Sequence, residues 1–294
     1  MLISRSSAPP AVKQLGRRVT RIVGRGTAGI RMMPDFVLAG AQRAGTTAIH
    51  RALAAHPAVV LPLFHKGVNY FDLAYYRGPN WYRGHFPIRA LAQRRTAGIP
   101  GGPRTLDASG YYMFHPCAAE RLHNDLPGMK LIVSLRDPVE RAFSQYRREI
   151  TGGFETAETF ELALELEPER LAGEAEKLRA DLRYASHSHR HHSYVAKGEY
   201  AGQVKRLFDL FGRDQVLVLD SETFAAEPQR TYDQILAFVG LPPFQPPSFG
   251  RWNARERPQP LQDETRKRLE AHFEPHDAAL AELLDRPLAW RAER

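Results

Sequence analysis

The stretch from Pro34 to Pro57, PDFVLAGAQRAGTTAIHRALAAHP, decides the fold. It reads as a buried strand, a tight turn and a helix. Phe36, Val37, Leu38 and Ala39 form a short apolar run of the parallel-strand kind. Gly40 and Gly45 bracket the turn, where backbone approaches a neighbour or takes a positive φ. Thr46 or Thr47 is suited to cap the helix, and Ile49, Ala52 and Leu53 fall on one of its faces. A strand feeding a glycine-bracketed helix start makes an anion site, because unpaired N–H groups and the positive end of the helix dipole converge there.

The spacing Gly40-x4-Gly45-Thr46-Thr47 comes close to a nucleoside triphosphate loop but departs at the decisive place. That loop carries Lys after its second Gly, to reach the outer phosphates, and then a hydroxyl for magnesium. Thr46 stands in the Lys position, and the cation within the turn is Arg43. The pattern describes a phosphate cradle without the usual γ-phosphate apparatus. A nucleotide kinase with an altered loop is one reading, and it predicts binding of ATP with magnesium.

A second motif, MKLIVSLRDPVERAFSQY, occupies residues 129–146. Leu131 to Leu135 is another buried-strand run. Asp137 followed by Pro138 is a helix N-cap with Pro at the first helical position, so a helix begins at once. Arg136 is left at the strand's end, and Ser144 lies two helical turns on. An Arg fork and a hydroxyl suit a phosphate.

Together these stretches resemble the sulfotransferases that use 3′-phosphoadenosine 5′-phosphosulfate (PAPS), in particular the heparan-sulfate-type and bacterial carbohydrate-type branch. QRAGTT followed by AIHRALAAHP is similar to the family's 5′-phosphosulfate loop, and the strand-Arg-Asp-Pro-helix-Ser succession to its 3′-phosphate element. The resemblance covers roughly residues 35–290. It implies a P-loop-like α/β fold, with a mainly parallel central sheet and helices on both faces. The implied reaction is in-line transfer of a sulfuryl group from PAPS, without a metal, to a hydroxyl or amine of a carbohydrate, glycolipid or small metabolite.

The resemblance also distributes roles. Backbone of Arg43, Ala44, Gly45, Thr46 and Thr47 holds the 5′-phosphosulfate, and Arg136 with Ser144 holds the 3′-phosphate. Phe64-His65-Lys66-Gly67 resembles the family's Lys-Glu element: Lys66 matches the Lys, while Gly67 stands where many relatives carry a Glu proposed as catalytic base. Arg43 and Lys66 are assigned to the charge building on the bridging oxygen, Lys66 being the better proton donor. With Gly67 in the Glu position, His65 and Asp107 are the candidate bases for an acceptor hydroxyl. Asn253-Ala254-Arg255 falls where relatives carry a Lys-Gly-Arg loop that closes on the cofactor, and Arg255 transfers most directly.

The rest of the chain bounds these readings. Residues 1–33 form a basic leader, read as a solvated tail or as a segment lying on an anionic membrane surface; residues 34–294 form a single domain. Gly24-Arg25-Gly26-Thr27-Ala28-Gly29 spells GxGxxG but lacks the following long helix and acid of a dinucleotide site. Lys and Arg total 41 against 33 Asp and Glu, a net charge of +8 that suits an anionic ligand, a membrane or nucleic acid alike. A basic nucleic-acid or membrane-surface module is therefore a third reading, although it leaves Arg136 and Ser144 unexplained, and no nucleic-acid partner is expected. The single Cys117 excludes an intramolecular disulfide. With no apolar run of spanning length and no convincing signal peptide, the expectation is a cytoplasmic enzyme, with peripheral contact at the inner membrane surface through the N-terminus. The His-rich run from His187 to His192 reads as a solvated or substrate-facing loop, since no Cys or carboxylate joins it at ligand spacing. The terminal region is expected as two helices, about 261–273 and 275–285.

Overall fold

The structure, a computed structural model, describes residues 23–62, 66–249 and 260–292. Four strands form one sheet: β1 (Phe36–Gly40), β2 (Leu106–Asp107), β3 (Lys130–Leu135) and β4 (Val216–Asp220). Their order is β2-β1-β3-β4 and every pairing is parallel. Along β1, Val37 and Ala39 enter one core while Phe36 and Leu38 enter the other. Both faces are therefore covered, as a parallel sheet requires.

Helix α1 (Thr46–Ala55) lays Ile49, Ala52 and Leu53 on the second core, beside Tyr232, Ile235 and Leu236 of a helix over Pro228–Val239. The opposite face is covered by Ala118, Ala119 and Leu122 and by Tyr200, Val204, Leu207 and Phe211. A third core joins Val139, Ala142, Phe143 and Tyr146 of helix α2 (Pro138–Gly152) to Phe160, Ala163, Leu269 and Phe273. The expected fold, a parallel sheet with helices on both faces, is the fold observed. The chain turns to opposite sides of β1 to reach β2 and β3, and the carboxyl ends of β1 and β3 meet at that switch point, where open α/β sheets bind ligands.

Two local expectations are corrected, and one glycine of the GxGxxG run finds a packing role. The described part of the basic leader, residues 23–33, is anchored on the domain at a few positions, while Val23 and Ile30 stay exposed. Arg31 is buried and donates to the Phe86 carbonyl at 2.7 Å, and Ala28 and Met32 are buried beside it. Gly24 of the GxGxxG run serves packing: a Cβ there would lie 2.5 Å from the Gly84 carbonyl oxygen. Finally, a single helix, Asp263–Leu284, replaces the two expected terminal helices and runs through Pro275. Burial of Phe273 before the proline and of Asp277 and Leu280 after it outweighs the one helical hydrogen bond that Pro275 removes.

Candidate active site

The turn after β1 is held from beneath. The Ala41 N–H donates to the Ser134 carbonyl at 2.7 Å, and the Ser134 hydroxyl donates to the Ala44 carbonyl at 2.6 Å. Arg43 and Gly45 both take positive φ, +72° and +77°. Gly45, rather than a threonine, is the cap residue of α1. That leaves the Thr46 and Thr47 hydroxyls to another partner. Lys66 Nζ donates to both, at 3.2 and 3.1 Å. The N–H groups of Gly45, Thr46 and Thr47 donate to no described residue. Free N–H groups at a helix start with an ammonium laid across them form an anion cradle.

Arg43 reaches the other way. Its Nε and Nη2 both donate to the Ser144 hydroxyl on α2, at 3.1 and 3.0 Å. Asp137 caps α2 by accepting from the Val139 and Glu140 N–H groups, as its position before Pro138 predicts. Arg136 lies 3.5 Å from Glu140, which is held in turn by Arg266 at 2.7 Å. Its carbonyl accepts from the Tyr200 hydroxyl at 3.0 Å. Arg43, Gly45, Thr46, Thr47, Lys66, Arg136 and Ser144 line one cavity of about 930 Å³. The two turns that the sequence separates by some ninety residues thus open into the same space.

Electrostatics single out Lys66. Burial, reinforced by Arg51 and Arg43, pulls its ammonium down to about 8. His50, one turn into α1, is pulled down to about 4 by burial and by Lys66, and stands neutral at pH 7 with its Nε2 buried and unpartnered. A lysine poised near neutrality is suited to give up a proton.

Asp107 is not a base on the cavity wall. It is fully buried at the end of β2, and both carboxylate oxygens are engaged. Oδ1 accepts from the Val68 N–H at 2.9 Å and the Ser109 hydroxyl at 2.7 Å; Oδ2 accepts from Tyr82 at 3.1 Å and Tyr112 at 2.8 Å. Its role is to anchor the segment that carries Lys66. His65, Asn253, Ala254 and Arg255 lie outside the described residues.

The same anchoring accounts for Gly67. A Cβ there would sit 2.4 Å from the Ala108 carbonyl oxygen and 2.7 Å from the Ser109 hydroxyl. The close approach of residues 66–69 to 107–109, tied by the Ala108 N–H to the Lys66 carbonyl at 3.2 Å, leaves no room for a side chain. Gly67→Glu is therefore expected to destabilise the protein by about 2–4 kcal/mol without supplying a base. A denaturation midpoint equal to that of the parent chain would refute this.

One arrangement on the cavity wall was not legible in the sequence. The His-rich run forms helix α3 (His187–His191), not a loop, and His189 is buried against the Tyr111 hydroxyl at 2.7 Å. His191 Nδ1 meets Glu149 Oε2 at 2.7 Å, and its ring stacks on Phe154 with centroids 4.3 Å apart. Gln145, one residue after Ser144, donates to the His191 carbonyl at 2.8 Å. Glu149 lies forty-two positions from His191 in sequence, so no local pattern links them. The imidazole Nε2 bonds to no described residue, and both side chains line the cavity.

Comparison with known proteins gives a consistent result. The sulfotransferase domain family model matches residues 33–248. A sulfotransferase from Alicyclobacillus acidocaldarius, known as a crystal structure, is 30% identical with a TM-score of 0.63, over 88% of this chain and 99% of that one. The mouse bifunctional heparan sulfate N-deacetylase/N-sulfotransferase 4 is 24% identical over 86% of this chain and 30% of its own length. The Dictyostelium discoideum membrane-associated sulfotransferase kil1 is 35% identical over 39% of this chain and 22% of its own length. The chain thus spans less than a third of the length of these two curated relatives.

Proposed function

The chain belongs to the sulfotransferase domain family, and on that premise we propose that it moves a sulfuryl group from PAPS to a hydroxyl or amine of a carbohydrate, glycolipid or small metabolite. The observation that carries this reading is the shared cavity: the turn after β1 and the Arg136–Ser144 element open onto one space of a size suited to a nucleotide. The residues present fit the donor. Free N–H groups at Gly45 to Thr47 suit the phosphosulfate, and Arg136 with Ser144 suits the 3′-phosphate.

Bound PAPS supplies the activated sulfuryl group. Lys66 would hold the donor at this turn and supply the proton that the departing adenosine 3′,5′-bisphosphate takes up. Arg43, with its guanidinium on the Ser144 hydroxyl, adds fixed positive charge on the 3′-phosphate side of the cavity rather than at the bridging oxygen. The Glu149–His191 pair is the base we assign for an acceptor hydroxyl among the described residues. Glu149 fixes the imidazole with its proton on Nδ1, leaving Nε2 to take the acceptor's proton. The pair would free the acceptor oxygen to bond to sulfur in exchange for the oxygen of the departing bisphosphate. Sulfuryl transfer of this kind relies on positioning and charge, and no protein covalent step is needed.

Calorimetry with adenosine 3′,5′-bisphosphate tests the assignment. The parent chain should bind it, and ATP with magnesium should bind much more weakly; the reverse order would favour a kinase. Arg136→Ala and Ser144→Ala should each weaken binding by about 10- to 100-fold. Unchanged affinity in both variants would overturn the 3′-phosphate assignment. A screen with radiolabelled PAPS over glycan and lipid extracts would identify the acceptor.

A further inference from the structure

We propose that Glu199, His272 and His276, none of which lines the cavity, form a binding site for one divalent transition-metal ion of the zinc type. His272 and His276 are four residues apart on the Asp263–Leu284 helix, so their rings project from one face. Both present Nε2 to the same carboxylate oxygen. His272 Nε2 lies 3.0 Å from Glu199 Oε1, and His276 Nε2 lies 3.8 Å from it. The three ligand atoms fall within 4.8 Å of one another. A metal bonded at about 2.0–2.1 Å to each needs them roughly 3.3 Å apart, a change that side-chain rotation supplies.

The donor set fixes the class of ion. Two imidazoles and one carboxylate suit zinc, cobalt or nickel, and are a poor match for magnesium or calcium, which prefer all-oxygen shells. Without metal, an imidazole N–H donates to Glu199. With metal, each ring carries its proton on Nδ1 and turns the Nε2 lone pair to the ion, a tautomer change that consumes no proton. The half-exposed positions leave the remaining coordination places to water.

The site joins elements that matter to the cavity. Glu199 ends the turn that leads into the helix Tyr200–Phe211, and Tyr200 holds the Arg136 carbonyl. Between the two histidines in sequence lies Phe273, fully buried; a Cβ at Gly198 would come within 2.8 Å of its ring and 3.0 Å of Pro138. A metal here would brace the long helix against the turn that ends at Glu199 and leads into Tyr200.

The test is thermal unfolding of the full chain with Zn²⁺, and with Mg²⁺ as control. Zn²⁺ at a hundredfold excess over its dissociation constant should raise Tm by roughly 5–10 °C, with one ion bound at this site. His272→Ala and His276→Ala should each abolish most of that rise, and Glu199→Gln should reduce it. Their metal-free Tm should match the parent chain, because these side chains are not core. A Zn²⁺-induced rise that survives in the double histidine variant would overturn the site. No rise in the parent chain, or an equal rise with Mg²⁺, would also overturn it. None of these outcomes depends on sulfuryl transfer.

Discussion

Lys66→Met is expected to lower sulfuryl transfer by about 10²–10³-fold while weakening adenosine 3′,5′-bisphosphate binding by less than about tenfold. The ammonium meets the Thr46 and Thr47 hydroxyls directly over the free N–H groups of the turn. Charge builds there only as the bridging bond breaks, so the loss falls on turnover. Label transferred from PAPS to the acceptor identified by screening gives the rate, and calorimetry gives the affinity. Equal losses in both would reduce Lys66 to a binding residue.

The same lysine links activity to pH and to stability. With its proton held to about 8, kcat/KM should fall as pH rises above that value, and Lys66→Arg should remove that limb of the profile. The stability sign is opposite. Its pKa is depressed in the folded state, so between about pH 8 and the ordinary lysine value of 10.5 the unfolded chain binds more protons. The contribution of this group to stability therefore rises with pH across that window. At pH 7 the buried charge is a cost, and Lys66→Met should unfold at a higher temperature than the parent chain. A variant both inactive and stabilised is the signature of a residue kept for chemistry.

Asp107→Ala is expected to cost about 3–5 kcal/mol, a large fraction of the stability of a typical domain. It would strand four buried donors: the Val68 N–H and the hydroxyls of Ser109, Tyr82 and Tyr112. Burial raises the carboxyl's pKa, and these four hydrogen bonds oppose that shift. Asp107→Asn keeps the shape and one of the two acceptor oxygens, and its amide NH2 can donate to the Tyr82 and Tyr112 hydroxyls if they turn to accept, so its cost should be distinctly smaller. Chemical denaturation separates the two variants. An Asp107→Ala chain that is fully stable but unable to transfer sulfate would return Asp107 to the catalytic machinery and refute its anchoring role.

Much of the site was legible because its logic is local. A parallel strand must end, turn and give way to a helix, and the residues at that junction are consecutive. Gly40 to Thr47 and Leu135 to Ser144 therefore announced themselves as strand-turn-helix units. Less legible were contacts between elements. Asp107 read as a base because an acid at a strand's end faces a ligand in many α/β proteins, yet Tyr82 from another segment and Tyr112 five residues on both donate to it. The Glu149–His191 pair depends on helices α2 and α3 meeting at the cavity rim. A break between two terminal helices near residue 274 is the local reading, while the burial of Phe273, Asp277 and Leu280 that carries one helix through Pro275 is tertiary.

The sequence by itself determined the parallel sheet, the covered faces, the two phosphate-seeking turns and the family. Hydrophobic runs, glycine spacing and helix caps are properties of neighbouring residues, and they act wherever the chain lies. Only the tertiary structure decided that Lys66 lies over the first turn, that Arg43 spans to Ser144, and that Gly67 has no room for a side chain. Those outcomes depend on how closely separate segments approach, which is set by packing of the whole domain and is written in no single stretch of it.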